Sequence, residues 1–183
     1  MLKKLTLLAM VVGAFAAFAI PAAASASKVT MPSGTLVPTG TELRGTANGT
    51  LFTETAFGTL ECEKITIGAE LTQNNGTTVG AAGLSGTTEN CQVEGHSLSI
   101  TNPQLKTLSS TETGKGTVSL AFGADIPSGP TCQFEGAGTF TYANPSSTIT
   151  IAPTLLESAA CGEAEIEGTV NIETTNGEAV ILE

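Results

Sequence analysis

The chain has 183 residues, and its 17 acidic side chains outnumber its 7 basic ones to give a formal net charge of −10. Nucleic acid phosphates and anionic membrane surfaces attract clustered Lys and Arg, so we expect neither as a partner of so acidic a chain. Aromatic residues make up 4% of the chain and tryptophan is absent, so the core must be built mainly from Val, Ile, Leu and Ala.

Residues 1–26 have the pattern of an export signal. Lys3 and Lys4 precede an unbroken run of apolar and small residues, and small residues then allow cleavage after Ala24 or Ala26. The run is short for a membrane span and has no stop-transfer flank. We therefore expect a secreted protein, extracellular or in the cell envelope, with no stable membrane insertion after signal cleavage. Without the two lysines the net charge becomes −12.

Residues 27–183 are expected to form a single all-β domain, because no stretch shows sustained helical periodicity with caps. Near the start of this domain, short runs of apolar residues separated by turn residues predict three brief strands. These strands cover residues 35–37, 42–44 and 50–52.

A long strand then leads to the Asn-Asn-Gly sequence at 74–76, which predicts a hairpin turn and a return strand. The alternating apolar face that runs from Ile65 to Leu71 has the opposite parity to Cys62. Such a mismatch predicts a bulge or a bend near Glu63–Lys64.

Beyond Cys91, a strand with Leu98 and Ile100 on one face is predicted to end at Pro103. Residues 109–116 are polar and predict a loop. The next strand alternates cleanly and places three apolar side chains on one face: Val118, Leu120 and Phe122.

The following strand gathers aromatic side chains on one face, and we consider them a candidate binding face. They are Phe134, Phe140 and Tyr142. Gly136 and Gly138 lie on the same face, where glycine lets another backbone come close.

Residues 163–173 alternate almost perfectly between apolar and acidic side chains. The apolar set is Ala164, Ile166, Val170 and Ile172, and the acidic set is Glu163, Glu165, Glu167 and Glu173. A turn over 174–177 and a final strand over 179–182 follow.

Two segments, 62–91 and 132–161, are expected to be internal repeats of one strand–turn–strand–cysteine unit. Laid on each other without a gap, they agree at glycine and turn positions. The matched pairs include Gly68 with Gly138 and Asn74 with Asn144.

The four cysteines of an exported chain predict two disulfides. Three connectivities are open, and the repeat does not decide between them because both crossed pairings also map onto themselves. We favour Cys62–Cys91 with Cys132–Cys161, since local closure is easiest. With no CxxC sequence and one histidine, a zinc site is not expected.

Neither of two further residue patterns predicts catalytic, cofactor-binding or metal-binding residues. His96 is the single histidine, and its flanking sequence lacks the nucleophile pattern of a Ser-His-acid enzyme. Glu163, Glu165 and Glu167 form a carboxylate row that suits either a calcium contact or a solvated strand face. Asp125 is the one aspartate, which disfavours dedicated calcium loops.

The first unit resembles a recurring class of secreted, β-rich actinobacterial proteins of uncharacterised function. The residues that carry this resemblance are the sequence Gly58-Thr59-Leu60-Glu61-Cys62, Gly68, the turn at 74–76 and Cys91.

The second unit resembles, more distantly, the proteobacterial alkane-oxidation activator proteins. The shared residues are Cys132, Gly138, Asn144, Ser147-Thr148-Ile149, Leu155 or Leu156, Cys161 and Gly168-Thr169-Val170. Together the two resemblances cover most of residues 27–183, and they imply an exported helper or matrix-associated protein with no catalytic residue to carry over.

These observations predict an antiparallel β-sandwich or barrel of about ten short strands. The expected function is non-catalytic: an extracellular or envelope-associated protein with a binding or matrix role, whose partner is an unknown extracellular ligand or a second copy of the chain. One alternative is a small secreted hydrolase that uses glutamate carboxylates. Another is a self-assembling surface adhesin.

Overall fold

A computed structural model describes residues 27–48, 52–55, 57–126 and 129–183, with the backbone alone described for 52–54. The export signal and residues 50–51 lie outside the described residues. All regular structure in the described part is β-strand, which confirms the all-β prediction, and no helix there is long and apolar enough to cross a membrane. The strands are β1 (Val29–Thr30), β2 (Glu42–Asn48), β3 (Phe52–Thr55), β4 (Leu60–Asn74), β5 (Val79–Gly83), β6 (Thr87–Val93), β7 (His96–Ser97), β8 (Ser99–Glu112), β9 (Lys115–Asp125), β10 (Thr131–Thr141), β11 (Thr148–Ser158), β12 (Gly162–Thr174) and β13 (Ile181–Leu182).

Eleven of these strands form one antiparallel sheet that closes on itself. β2 and β3 follow each other along β12, and β5 and β6 follow each other along β4, so each pair acts as one bent strand. Around the sheet the order is β2/β3, β4, β5/β6, β8, β9, β10, β11 and β12, and β12 pairs again with β2/β3. Of the two predicted architectures, the fold is therefore the barrel, with eight strand positions.

Side chains alternate between the interior and the solvent as predicted for three strands. The buried apolar residues are Val118, Leu120 and Phe122 on β9, Phe134 and Phe140 on β10, and Ala164, Ile166 and Val170 on β12. Glu163 and Glu167 on β12 point outward and are exposed. The period-two pattern thus determines which face of each strand meets the core.

The inward face of β4 changes parity near Glu63, as predicted. Leu60, Cys62 and Ile65 are all buried, although strict alternation would place Cys62 and Ile65 on opposite faces. The register with β6 is the same before and after this point, but the ladder skips the pair of Glu63 and Asn90, and Asn90 has a φ of 49°. The inward-facing set of β4 residues therefore changes parity through a bend and not through an inserted residue. The bend requires a left-handed backbone at Asn90, which asparagine tolerates.

The prediction that Pro103 ends a strand is wrong, because β8 runs through it. The pairing of β8 with β9 shifts register between Thr101 and Gln104, and Asn102 has a φ of 48°. Pro103 lies inside this irregularity, where a backbone donor is not needed, and its carbonyl oxygen accepts a hydrogen bond of 2.8 Å from the Gly86 amide.

The predicted polar loop over 109–116 is also wrong, since β8 extends to Glu112 and β9 begins at Lys115. Ser110 shows why a polar sequence does not exclude a strand at this point. Its side chain is buried, and its Oγ lies 2.6 Å from the carbonyl oxygen of Lys115. A hydroxyl with such a partner is tolerated on an inward face.

Two strand predictions differ from the structure in length. The strand predicted at 35–37 is reduced to a single bridge between Leu36 and Thr30. In contrast, apart from the long strand predicted before Asn74 the strands were expected to be short, whereas β4, β8, β9, β10, β11 and β12 contain 11 to 15 residues each. Strands in a closed sheet tilt against the barrel axis, so each needs more residues to run from end to end.

Segments 62–91 and 132–161 each form an antiparallel strand pair, β4 with β5/β6 and β10 with β11. They lie on opposite sides of the barrel, separated by β8 and β9 in one direction and by β12 and β2/β3 in the other. β4 and β10 run in the same direction, so their N-terminal ends meet the same end of the barrel.

The predicted local disulfides are confirmed, and both lie at this end, which we call the disulfide end. Cys62 and Cys91 face each other directly across β4 and β6, with their Cα atoms 4.0 Å apart. Cys132, at the start of β10, is joined to Cys161 in the turn between β11 and β12, with a Cα–Cα distance of 5.6 Å. All four cysteines are buried.

The opposite end is crossed by β1 and β13, which pair antiparallel and which we call the strap. Asn74, at the end of β4, accepts a hydrogen bond from the Val29 amide and donates to the Val29 and Val37 carbonyl oxygens, at 2.7–3.0 Å. On the far side, Leu182 and Ser146 exchange two backbone hydrogen bonds of 2.7 and 3.1 Å. The strap is thus attached to the turn of each strand pair.

Candidate functional site

The interior beneath the strap contains a cavity of about 70 Å³. None of its lining residues carries a polar side chain. They are Val29, Val180 and Leu182 in or next to the strap, with Leu43, Gly45, Ile67, Ala69, Leu71, Val79, Ala81, Leu105, Leu108, Val118, Leu120, Ile149, Ile151, Val170 and Ile172 on the barrel strands.

Small inward side chains leave this volume unfilled. Ala69 on β4 and Ala81 on the neighbouring β5 both line the cavity. Protein cores contain few voids larger than a water molecule. An unfilled volume of this size costs roughly 1.7 kcal/mol, at about 24 cal/mol per Å³. The chain therefore keeps a space that a simple scaffold gains stability by filling.

The chemistry of the lining selects the occupant. A water molecule in a protein interior needs two to four polar partners, and the side chains that line this cavity offer none. Apolar cavities of this kind stay dry and accept small apolar molecules. The site is accordingly suited to an uncharged, apolar molecule of a few heavy atoms.

The aromatic side chains proposed as a binding face, Phe134, Phe140 and Tyr142, are all buried. Phe134 stacks on Phe122 with the ring centroids 4.9 Å apart, and Phe140 stacks on Tyr142 at 6.3 Å. None of the three lines the cavity. They are buried core residues that pack in stacked pairs, so this candidate binding face is not open to solvent.

Tyr142 instead belongs to a buried polar cluster close to the strap. Its hydroxyl lies 3.1 Å from Ser27 Oγ, which is 2.7 Å from Ser110 Oγ. Ser27 lies two residues before Val29, the first residue of β1. The cluster therefore provides a second attachment for the N-terminal segment and satisfies hydroxyl groups that would otherwise be buried without partners.

The carboxylate row on β12 extends across the sheet. Glu163 lies directly opposite Glu157 on β11, and Glu157 lies directly opposite Glu135 on β10. Lys106 pairs with Glu135 at 2.8 Å. The described residues hold no group of three or more His, Cys, Asp or Glu side chains arranged to bind a metal ion. Sequence reasoning missed Glu157 and Glu135 because strand register is not visible in the sequence.

His96 and these glutamates lie on strands that are not neighbours. His96 is exposed on β7, a two-residue strand that pairs with β6 alone. β12 pairs with β11, β2 and β3. The barrel thus does not bring the histidine and the β12 carboxylates together.

The outer surface of the barrel carries two polar depressions, of about 450 and 410 Å³. The cations along the first are already paired, Arg44 with Glu173 at 2.6 Å and Lys64 with Glu89 at 3.1 Å. In the second, Lys106 pairs with Glu135. Their charges are therefore engaged within the protein, and the apolar cavity is the stronger candidate site.

Sequence reasoning did not find the cavity. The signal was present in Ala69 and Ala81, small residues at inward positions of neighbouring strands, but an empty volume depends on all the strands around it. Comparison of the chain with protein-family models, with curated proteins and with solved structures returned no match.

Proposed function

We propose that this protein is an exported, non-catalytic binding protein that encloses a small apolar molecule in the barrel. The observation that carries the proposal is the cavity of about 70 Å³ with a wholly apolar side-chain lining. A closed sheet of eight strands is just wide enough to be filled by side chains or to hold one small ligand.

Export is supported by the sequence of residues 1–26 and by two buried disulfides, which persist in oxidising compartments. The acidic surface then serves solubility outside the cell or in its envelope. We also propose that the two strand pairs arose by duplication. Kinship with the secreted actinobacterial class and with the activator proteins remains a proposal that rests on cysteine, glycine and turn positions.

The size of the cavity limits the ligand. An apolar cavity of about 150 Å³ in another protein accommodates benzene or xenon. The cavity in this chain has about half that volume, so a ring of six carbons does not fit without movement of the walls. Xenon, a single apolar atom, is the appropriate first probe.

The test compares valine substitutions at two neighbouring positions of β5. Ala81 lines the cavity, whereas the side chain of Ala82 is exposed on the outer face. Ala81→Val should abolish xenon-induced methyl chemical shift changes and raise the free energy of unfolding by about 1–1.5 kcal/mol, at roughly 0.8 kcal/mol per buried methylene. Ala82→Val should leave both unchanged, because its added methyl groups meet solvent.

Methyl NMR under xenon pressure and urea denaturation supply the two measurements. The proposal requires shifts centred on cavity residues such as Leu71 and Ile151 in the unsubstituted protein. No xenon-dependent shifts, or equal shifts in the two variants, would show that the cavity does not bind.

A further inference from the structure

We propose that the strap is the entrance to the cavity and that Asn74 is the positioning residue that controls how often it opens. The inference rests on the proposed function, because an entrance matters only if the cavity takes a ligand. Val29, Val180 and Leu182 bring the strap into the cavity wall, so displacing the strap exposes the interior directly.

The other walls offer no comparable route. The barrel strands around the cavity pair with neighbours on both sides, over three residue pairs between β10 and β11, four between β5 and β8 and between β12 and β2, and seven between β2 and β4. Opening the barrel there would break several hydrogen bonds together. At the disulfide end, the buried side chains of Leu60, Phe122 and Phe134 fill the interior, and two disulfides hold the strands.

The strap is held by far fewer contacts. β1 and β13 pair over two residue pairs, extended by reciprocal backbone bonds of 2.9 Å between Lys28 and Glu183. These contacts hold the two strands to each other and do not fasten them to the barrel. The exchanged bonds of Leu182 and Ser146 anchor β13, so the attachment of β1 to the barrel depends on other groups.

Asn74 supplies one part of that attachment through its side-chain amide, and the contacts of Ser27 with Ser110 and Tyr142 supply the other. Its Oδ1 accepts from the Val29 amide at 3.0 Å, and its Nδ2 donates to the Val29 and Val37 carbonyl oxygens at 2.7 and 2.8 Å. Val29 is 2% exposed, so losing Asn74 leaves its buried amide without this acceptor, while its carbonyl oxygen keeps a hydrogen bond of 3.0 Å from the Val37 amide. Opening then becomes less costly, since that amide is hydrated when the strap lifts.

Asn75 gives a matched control in the same turn. Its Oδ1 accepts hydrogen bonds from the amides of Thr77 and Thr78 and touches no strap residue. Asn75→Ala therefore loosens the turn without releasing β1. In Asn74→Ala, the exchange rate of bound xenon, measured by NMR line broadening, should rise about tenfold over the unsubstituted chain, while Asn75→Ala stays within about twofold.

Asn74→Asp keeps the acceptor but places a carboxylate oxygen against the carbonyl oxygens of Val29 and Val37, so its xenon exchange rate should also rise above that of the unsubstituted chain. This variant also serves if Asn74→Ala does not fold. Amide hydrogen exchange at Val29 should accelerate in the same variants. Equal xenon exchange rates in all the folded variants would rule out the strap as the entrance without contradicting xenon binding in the cavity. Absence of xenon binding in the unsubstituted protein would instead overturn the proposed function.

Discussion

At the scale of single residues, two inward glycines of β10 let the neighbouring strand β11 approach closely because they have no side chain. A Cβ on Gly136 would overlap the carbonyl oxygen of Leu155, and one on Gly138 would overlap the side chain of Thr154. The register of β11 shifts between Ile151 and Thr154, which brings this part of the strand onto β10. The prediction that these glycines permit close approach is confirmed.

Gly138→Ala tests this contact. The added methyl group has no space beside Thr154, so we expect the free energy of unfolding to fall by about 2–3 kcal/mol, as for other overpacked cores. Urea denaturation supplies the measurement. Ala137→Ser adds one atom to the exposed neighbour and should change stability by less than about 0.5 kcal/mol. A Gly138→Ala protein as stable as this control would contradict the argument.

At the scale of the elements, the register explains what the carboxylates do to the sheet. Glu157 faces Glu163 across one ladder and Glu135 across the other, and like charges directly opposite each other are destabilising. The salt bridge from Lys106 relieves Glu135. Because these carboxylates lie on the outer face, the repulsion is weakened by solvent and salt.

Glu157→Lys should therefore stabilise the protein by a few tenths of a kcal/mol at low salt, because it replaces two repulsions with attractions. The gain should vanish at high salt, and Glu157→Gln should give about half of it. Urea midpoints at the two salt concentrations measure the effect. Destabilisation by both substitutions would instead indicate that the carboxylate is required in its place.

The elements that could be predicted are those whose pattern is local. The alternation of β9, β10 and β12, the turn after Asn74 and both disulfides follow from residues close together in the sequence. β8 could not be predicted past Pro103, because the irregularity that accepts the proline is set by its partner β9. The strap could not be predicted either, because it depends on the pairing of Val29 with Leu182, which is far away in the sequence.

At the scale of the whole molecule, closure is the property that sequence patterns did not determine. β2 pairs with both β4 and β12, and this double pairing converts a possible open sandwich into a barrel. The cavity is a consequence of that closure, since its lining comes from seven barrel strands and the strap region. Neither the closure nor the cavity exists in any short stretch of the chain.

Closure also bears on the adhesin alternative. Each of the eight strand positions has a neighbour on both sides, so the described barrel presents no long unpaired edge for another chain to extend. We expect the purified protein to elute as a monomer in size-exclusion chromatography and to give no thioflavin fluorescence after prolonged incubation. Thioflavin-positive fibres at the cell surface would favour assembly instead.

The pairing of Val29 with Leu182 sets an order of events during the export that we propose. A chain that crosses the membrane with its N-terminus first delivers β1 early, while β13 arrives after every barrel strand. The interior therefore remains unsealed throughout translocation, and sealing is the final topological step. On the proposed export and binding function, the apolar ligand is consequently acquired outside the cytoplasm.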